Sequence, residues 1–215
     1  MDRIRFGVIG AGKIGTYHVR TLARMKEVEL VGVCDIDLLR AQTLAWDNNT
    51  IAYGDYNDLL PQVDAIVIAT PTNLHAPIAL KAMNMGIHTF VEKPICDSIE
   101  DAKKMNEASI KNNVVLQVGH VERFNVAFVE AQRYIKNPLY ISMERLGPYD
   151  PRVSSIGVTL DLMIHDLDIL LSIAQSDIES IDSIGARVFS NFEDISNARI
   201  RFKNGMVCDI TASRI

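Results

Sequence analysis

A lysine, an aspartate and a histidine stand where their side chains could act on a polar substrate. Lys93 follows Glu92 at the end of an apolar segment, and Pro94 restricts the direction of the chain behind it. Asp161 and His165 are four residues apart, which places them on one face of a helix. A carboxylate and an imidazole on one face can bind hydroxyl groups and transfer a proton. The same pattern also fits a surface lysine, an aspartate that begins the helix and a histidine packed in a core.

A glycine motif near the amino terminus is typical of a dinucleotide-binding turn. It follows the apolar segment Ile4–Gly10 and opens a helical segment, Lys13–Met25. Such glycines permit a tight turn, close approach of a pyrophosphate to backbone N–H groups, and close packing of helix on strand. The amino terminus of the helix then favours the negative charge of the phosphates. The motif consists of Gly10, Ala11, Gly12, Lys13, Ile14 and Gly15.

An acidic residue at the end of the second apolar segment completes the nucleotide-binding pattern. Asp35 lies 20 residues after Gly15, where a carboxylate binds the ribose diol of the adenosine. Because this carboxylate would repel a 2′-phosphate, the sequence favours NAD over NADP, although Arg40 could tolerate the phosphate. An ordinary turn followed by a solvated aspartate is the alternative. The order of strand, turn, helix, strand and acid favours the cofactor site.

Short apolar runs alternate with helical patterns through the first half of the chain. This βαβα order predicts a parallel, doubly wound sheet with both faces covered. The predicted strands are Ile4–Gly10, Val28–Cys34, Ile51–Tyr53, Asp64–Thr70, Ile87–Glu92 and Val114–Val118. The predicted helices are Lys13–Met25, Asp37–Trp46, Leu74–Met85 and Ser98–Lys111, the last with Ser98 as its cap.

Strands in succession characterise the second half. We therefore expect a nucleotide-binding Rossmann domain over residues 1–121 and an α+β domain with a mainly antiparallel, open-faced sheet over residues 122–215. The chain ends just after a strand, so we expect either a truncated domain or a second subunit over an uncovered apolar face. The predicted elements are a helix Asn125–Lys136, a strand Leu139–Arg145, a helix Leu160–Ala174, and strands Ile178–Phe189, Ser196–Phe202 and Val207–Ala212 with a hairpin at Asn204–Gly205.

Composition excludes several classes of protein. The 215 residues are 48% hydrophobic and 23% charged with a net charge of -5, which indicates a globular protein that does not bind nucleic acid. The three cysteines are far apart, so we expect neither a metal site nor disulfides. We find no signal peptide and no apolar run of the ~18 residues that a membrane span needs. A small-molecule ligand and a cytoplasmic location follow as expectations.

Taken together, the motifs resemble the glucose–fructose oxidoreductase/inositol dehydrogenase family, also called Gfo/Idh/MocA. The resemblance covers nearly the whole chain, and it implies a Rossmann domain followed by an open-faced antiparallel sheet whose faces often pair subunits into homodimers or homotetramers. One departure is Ile156, which stands where a second glycine is usual. The matching features are the glycine motif, Asp35, the segment from Ala69 to His75, the Glu92-Lys93-Pro94 motif, and the spacing of Gly157, Asp161 and His165.

The resemblance also implies roles for individual residues. Lys93 would lie near the reacting hydroxyl and the nicotinamide of NAD, Asp161 would bind the sugar, and His165 would be the general base. No metal is implied. The residues expected to line the cofactor beyond the glycine motif and Asp35 are Thr70, Pro71, Asn73, His75 and Glu92.

Two segments, 118–125 and 161–168, resemble more narrowly the branch that contains UDP-N-acetylglucosamine 3-dehydrogenases. That branch oxidises the sugar 3-hydroxyl so that an aminotransferase can install an amine for lipid A synthesis. Arg123 and Arg145 could then bind a nucleotide-sugar phosphate or a carboxylate, or be solvated surface charges. An inositol or simple sugar dehydrogenase, and an NAD-binding regulator without turnover, stay as alternatives. A regulator would not need Lys93, Asp161 and His165 together.

Overall fold

The computed structural model describes residues 3–149 and 156–215. They form two compact units, which divide between Gly119 and His120. In the described ranges, no helix is both long and apolar enough to cross a membrane. No group of histidine, cysteine and acidic side chains in the same ranges is placed to hold a metal ion.

The first unit contains a six-stranded parallel sheet, as predicted. The strands are β1 Ile4–Ile9, β2 Val28–Cys34, β3 Ile51–Tyr53, β4 Ala65–Ile68, β5 His88–Val91 and β6 Leu116–Val118. Their order is β3-β2-β1-β4-β5-β6, and every neighbouring pair is parallel. The order reverses between β1 and β4. Ligands of open α/β sheets bind beyond the carboxyl ends of the strands at such a reversal.

Helices connect these strands in the predicted order. Ser98 caps the last one, because its hydroxyl oxygen accepts the N–H of Asp101 at 3.0 Å. All four residues of β4 are buried, which explains why the strands appear in the sequence as continuous apolar runs. The helices are α1 Lys13–Leu22, α2 Leu38–Asp47, α3 Tyr56–Leu59, α4 His75–Asn84 and α5 Ile99–Asn112.

The second unit contains a four-stranded, mainly antiparallel sheet. Its order is β7-β10-β9-β8, in which the β7–β10 pair is parallel and the other two pairs are antiparallel. The predicted hairpin at Asn204–Gly205 joins β9 to β10, and Gly205 has a φ of 89°. The elements are α6 Val126–Gln132, β7 Tyr140–Leu146, α7 Ile164–Ala174 preceded by a π-helical turn Thr159–Met163, β8 Ile178–Ala186, β9 Ile195–Phe202 and β10 Val207–Ser213.

One face of this second sheet packs on the helix that begins with the π-helical turn. Alternate residues of β9 and β10, among them Ile200 and Ile210, are buried in a cluster that includes Met163 and Leu170. The opposite face of β9 and β10 carries mainly polar side chains, with Ile195 and Val207 at its ends. Arg199 and Asp209 form a two-bond pair there, with both distances 2.7 Å. The sheet is therefore open-faced.

Strand β8 ends at Ala186, three residues before the predicted end. The carboxylate of Asp194 accepts the backbone N–H groups of Val188, Phe189 and Ser190 at 2.7–2.9 Å. These donors cannot then continue a β-ladder, so the apolar residues at 188 and 189 lie in a turn.

Candidate active site

The glycine motif forms a tight turn between β1 and α1. Gly10 has a φ of 104°, which side chains other than glycine rarely adopt, and a Cβ there would lie 2.4 Å from the carbonyl oxygen of Ala69. A Cβ on Gly15 would lie 1.8 Å from the carbonyl oxygen of Gly10. Gly10 therefore permits the turn and its close contact with the segment after β4, and Gly15 lets α1 approach the end of β1, as the motif predicts.

The amino terminus of α1 has the properties of a pyrophosphate site. No side chain of the described residues caps it, and its first turn carries no acidic residue. A Cβ on Gly12 would meet no atom within 4 Å. Lys13 and Ile14 are exposed at this end. Backbone donors, open space and the helix dipole together fit the phosphates of a dinucleotide.

Asp35 lies directly after β2 and joins the glycine turn. One carboxylate oxygen accepts the N–H of Ala11 at 2.7 Å, and the other accepts the N–H of Asp37 at 2.9 Å. Each carboxylate oxygen has a second lone pair, so Asp35 retains acceptors for a ribose diol. The guanidinium of Arg40 lies 3.5 Å from the Asp37 carboxylate. Arg40 thus has an acidic partner of its own, which fits NAD.

Lys93 directly follows Glu92 just after the end of β5, in a segment held by hydrogen bonds. The peptide bond between Lys93 and Pro94 is cis. Glu92 accepts the backbone N–H of Lys93 at 3.2 Å, and its other carboxylate oxygen lies 2.6 Å from Nε2 of His18 on α1. Glu92 therefore links the glycine-motif helix to the lysine.

The segment after β4 places its members in different environments. Pro71 and Asn73 are exposed and Thr70 is half-buried, whereas His75 is only 1% exposed. Both ring nitrogens of His75 lie 2.9 Å from carbonyl oxygens, one of Thr70 and one of Pro94. His75 is thus bonded within the protein, whereas Thr70, Pro71 and Asn73 offer surface to a ligand.

The first unit brings most of the candidate residues to one edge of its sheet. Gly10, Asp35, Thr70 and Glu92 follow β1, β2, β4 and β5, so they all lie at the carboxyl ends of parallel strands. Lys93 lies at the same edge. This is the edge at which an open α/β sheet binds its ligands.

Asp161 and His165 lie on the long helix of the second unit. Asp161 lies inside the π-helical turn and donates its N–H to Gly157 at 3.0 Å, and His165 lies at the start of α7. Both side chains are half-buried. The sequence predicted a regular α-helix here. Single π-helical turns often occur at functional sites.

Two arginines hold this helix through its carboxylates. Arg145 on β7 donates three hydrogen bonds to the buried Asp166, the shortest 2.7 Å, and Arg123 donates two to Asp168. These bonds raise the pKa of both guanidinium groups. Arg123 and Arg145 are therefore ion-paired within the unit, while 47% and 31% of their side chains stay exposed.

A second network holds the beginning of the same helix. The carboxylate of Glu193 accepts the N–H of Thr159 at 3.2 Å. Its neighbour Asp194 is buried and pairs with the buried Arg214 at 2.9 Å, and Arg214 also donates to the carbonyl of Ile156 at 2.9 Å. Burial alone would raise the pKa of Asp194, but the N–H groups and hydroxyl that it accepts outweigh burial and lower it.

The sequence interpretation missed four residues that organise these segments: His18, Asp166, Asp168 and Glu193. His18 carries a signal, since it lies three residues after the last glycine of the motif and so on the face of α1 that turns toward the sheet. Asp166 and Asp168 follow His165 closely, but their partners are far away in the sequence. Only the tertiary structure shows those pairs.

Comparison with known proteins decides the family. The sequence model of the oxidoreductase family with an NAD-binding Rossmann fold matches residues 4–120, and the model of the Gfo/Idh/MocA carboxyl-terminal domain matches residues 119–215. The chain belongs to the Gfo/Idh/MocA oxidoreductase family. Membership makes it an NAD-dependent dehydrogenase, as the motifs predicted.

Individual Gfo/Idh/MocA relatives match the chain end to end. The UDP-N-acetylglucosamine 3-dehydrogenase of Acidithiobacillus ferrooxidans is 33% identical over 100% of the chain and 68% of its own length. A solved structure of that dehydrogenase has a TM-score of 0.93 and is covered over 71% of its length. The NAD-dependent scyllo-inositol 2-dehydrogenase of Bacillus subtilis is 31% identical over 99% of the chain and 68% of its own length. The chain thus spans about two thirds of these relatives.

Proposed function

We propose that this chain oxidises a hydroxyl group of a nucleotide sugar, the 3-hydroxyl of UDP-N-acetylglucosamine, with NAD as the oxidant. The observation that carries the proposal is the match over 100% of the chain to a UDP-N-acetylglucosamine 3-dehydrogenase. The combination of an amine, a carboxylate and an imidazole in Lys93, Asp161 and His165 supports it, because alcohol oxidation needs a proton acceptor and a group that stabilises the developing alkoxide.

The cofactor is held by residues of the first unit. The N–H groups at the start of α1, from Gly12 to Ile14, bind the pyrophosphate, and Asp35 accepts hydrogen bonds from the adenosine ribose. Thr70, Pro71 and Asn73 line the remainder of the cofactor. Bound NAD supplies a hydride acceptor for the alcohol carbon.

The proton and charge are handled by side chains of the protein. His165 accepts the proton of the reacting hydroxyl, since imidazole exchanges protons readily near neutral pH. Asp161 accepts a hydrogen bond from the imidazole or from a neighbouring sugar hydroxyl and so fixes the orientation of both. The ammonium group of Lys93 donates to the hydroxyl oxygen and stabilises the negative charge that develops on it.

A simple polyol is the second candidate substrate. The scyllo-inositol 2-dehydrogenase of Bacillus subtilis is nearly as similar to the chain, at 31% identity. The same three side chains would serve an inositol hydroxyl. What distinguishes the two substrates is the nucleotide diphosphate, which only the first carries.

Partners and location follow from the proposed substrate. The 3-oxo sugar is the substrate of an aminotransferase, and in the resembled branch this pair of reactions serves lipid A synthesis. We expect the chain to act in the cytoplasm and as a homodimer or homotetramer. Sedimentation velocity of the purified protein tests the oligomeric state.

The decisive assay follows NADH absorbance with NAD and a panel of substrates. An aminotransferase and glutamate are added to draw an unfavourable equilibrium forward. Turnover with UDP-N-acetylglucosamine, together with weak or no turnover of free N-acetylglucosamine and inositols, supports the proposal. Turnover of inositols alone supports the dehydrogenase reaction but contradicts a nucleotide sugar as its substrate. NAD binding without any turnover contradicts the proposal and favours a regulatory role.

A further inference from the structure

Lys93 lies between two residues that are each held by a histidine from a different helix. Glu92 precedes it and contacts His18 of α1, and Pro94 follows it and contacts His75 of α4. Each helix begins at a segment that the proposed function assigns to the cofactor. The two histidines therefore connect the cofactor segments with the main chain on both sides of Lys93.

The contact before Lys93 runs through a carboxylate. Nε2 of His18 lies 2.6 Å from one oxygen of Glu92, while the other oxygen accepts the N–H of Lys93 at 3.2 Å. Both side chains are largely buried, at 21% and 15% exposed, and the His18 ring packs edge-on against Phe90 at 5.2 Å. Because His18 belongs to the helix that opens with the glycine motif, its position depends on that turn.

The contact after Lys93 is buried. His75 is 1% exposed, its Nδ1 lies 2.9 Å from the carbonyl of Pro94, and its Nε2 lies 2.9 Å from the carbonyl of Thr70. A carbonyl oxygen can only accept, so the ring nitrogen that carries the proton donates to the carbonyl beside it, and the tautomer decides which of the two bonds is made. The imidazole thereby joins the main chain after β4 to the main chain after β5.

We infer that His18 and His75 are positioning residues that together set the main chain of Lys93 relative to the cofactor segments. The inference rests on the proposed catalytic role of Lys93. It assigns His75 a role other than direct contact with the cofactor. Small errors in the placement of a catalytic group reduce turnover strongly without a matching loss of ligand affinity.

Asparagine and glutamine substitutions separate the individual bonds. The amide nitrogen of asparagine is as many bonds from Cβ as Nδ1 of histidine, and that of glutamine is as many as Nε2. His75→Asn therefore keeps the donor to Pro94, whereas His75→Gln keeps only the donor to Thr70. For His18 the order reverses, since His18→Gln keeps the donor to Glu92 and His18→Asn loses it.

We expect a crossed pattern in kcat. His75→Asn and His18→Gln keep kcat within about threefold of wild type, whereas His75→Gln and His18→Asn lose about 10- to 100-fold. The Kd of NAD, measured by titration calorimetry, changes less than about threefold in all four. His88 is the matched control, because it lies at the opposite end of β5 and is exposed, and its Nδ1 accepts the N–H of Val115 at 2.9 Å. His88→Asn and His88→Gln leave kcat unchanged.

Hydrogen exchange followed by mass spectrometry tests the inference without turnover. The peptide that spans residues 90–97 exchanges about tenfold faster in His75→Gln and His18→Asn than in the two variants that keep the donors. Equal exchange in all four variants overturns the inference, as does a kcat that follows the melting temperature instead of the crossed pattern. If the wild type turns over no sugar while exchange shows the pattern, the proposed function fails and the positioning role stands.

Discussion

The two units hold their functional side chains by different means. In the first unit, the main chain at Lys93 is held by Glu92, whose carboxylate also contacts His18, and by His75 at the Pro94 carbonyl. In the second unit, the helix of Asp161 and His165 is fixed by arginine–carboxylate pairs. Bonds to the main chain set the path of one short segment, whereas ion pairs fix the position of a whole helix.

The difference predicts how each unit responds to substitution. A buried ion pair costs much free energy when one partner is removed, because the other charge stays buried without compensation. By contrast, where two main-chain segments pack closely, as at the glycine turn, a substitution that adds a side chain between them destabilises the fold. Stability measurements on matched variants distinguish these two modes.

The largest effect is expected from Arg145→Met. It leaves the carboxylate of Asp166, 4% exposed, without its guanidinium partner, and we expect the free energy of unfolding to fall by about 3 kcal/mol. Urea unfolding measures this change. The double variant Arg145→Met/Asp166→Leu should recover most of the loss. A double variant as unstable as the single one would show that the pair does not hold the helix.

An intermediate effect is expected at the glycine turn, where two substitutions separate folding from binding. Gly15→Ala places a Cβ 1.8 Å from a carbonyl oxygen. We expect it to lower the free energy of unfolding by about 1–3 kcal/mol, and so the melting temperature by several degrees. It should also weaken NAD binding. The Cβ added by Gly12→Ala would meet no protein atom. This variant should therefore keep the wild-type melting temperature but bind NAD more weakly. Melting curves and NAD titrations check both. Unchanged NAD affinity in Gly12→Ala would remove the pyrophosphate from this turn.

The smallest change in stability is expected from a substitution on the exposed face of the second sheet. The bonds from Arg199 and Tyr140 lower the pKa of Asp209 to about 2 from the usual 3.8. A depressed carboxyl pKa stabilises the folded state above pH 3.8, and this contribution is lost as the pH falls toward 2. The stability difference between wild type and Asp209→Asn should therefore shrink over that window. Glu179→Gln on β8 is the control, and an Asp209→Asn difference independent of pH would contradict the assignment.

Local patterns in the sequence predicted most of the fold. Buried parallel strands such as β4 consist of apolar residues throughout, and the Ser98 cap and the Asn204–Gly205 turn depend on residues adjacent in the chain. The end of β8 was missed because Asp194, several residues later, takes the N–H groups that a longer strand would need. Hydrophobic periodicity does not show when a side chain competes with a neighbouring strand for backbone N–H groups.

The types of residue in the candidate site could be predicted from the sequence, but the residues that hold them in place could not. The glycine motif and the spacing of Asp161 and His165 are short-range patterns. The contact of His18 with Glu92 joins residues 74 positions apart, and that of Arg145 with Asp166 joins residues 21 positions apart. Such pairs depend on how strands and helices are arranged in space, which single-sequence patterns do not specify.

Single-turnover formation of NADH from UDP-N-acetylglucosamine, compared between wild type and Lys93→Met, tests the central claim most directly. The ammonium group stabilises charge that develops only during the reaction, so we expect the rate in the variant to fall by about 10²- to 10³-fold. The Kd of NAD should stay within about threefold, because the phosphates and the adenosine ribose are bound by the glycine turn and Asp35. A variant that forms NADH at the wild-type rate would contradict the account and remove Lys93 from the reaction.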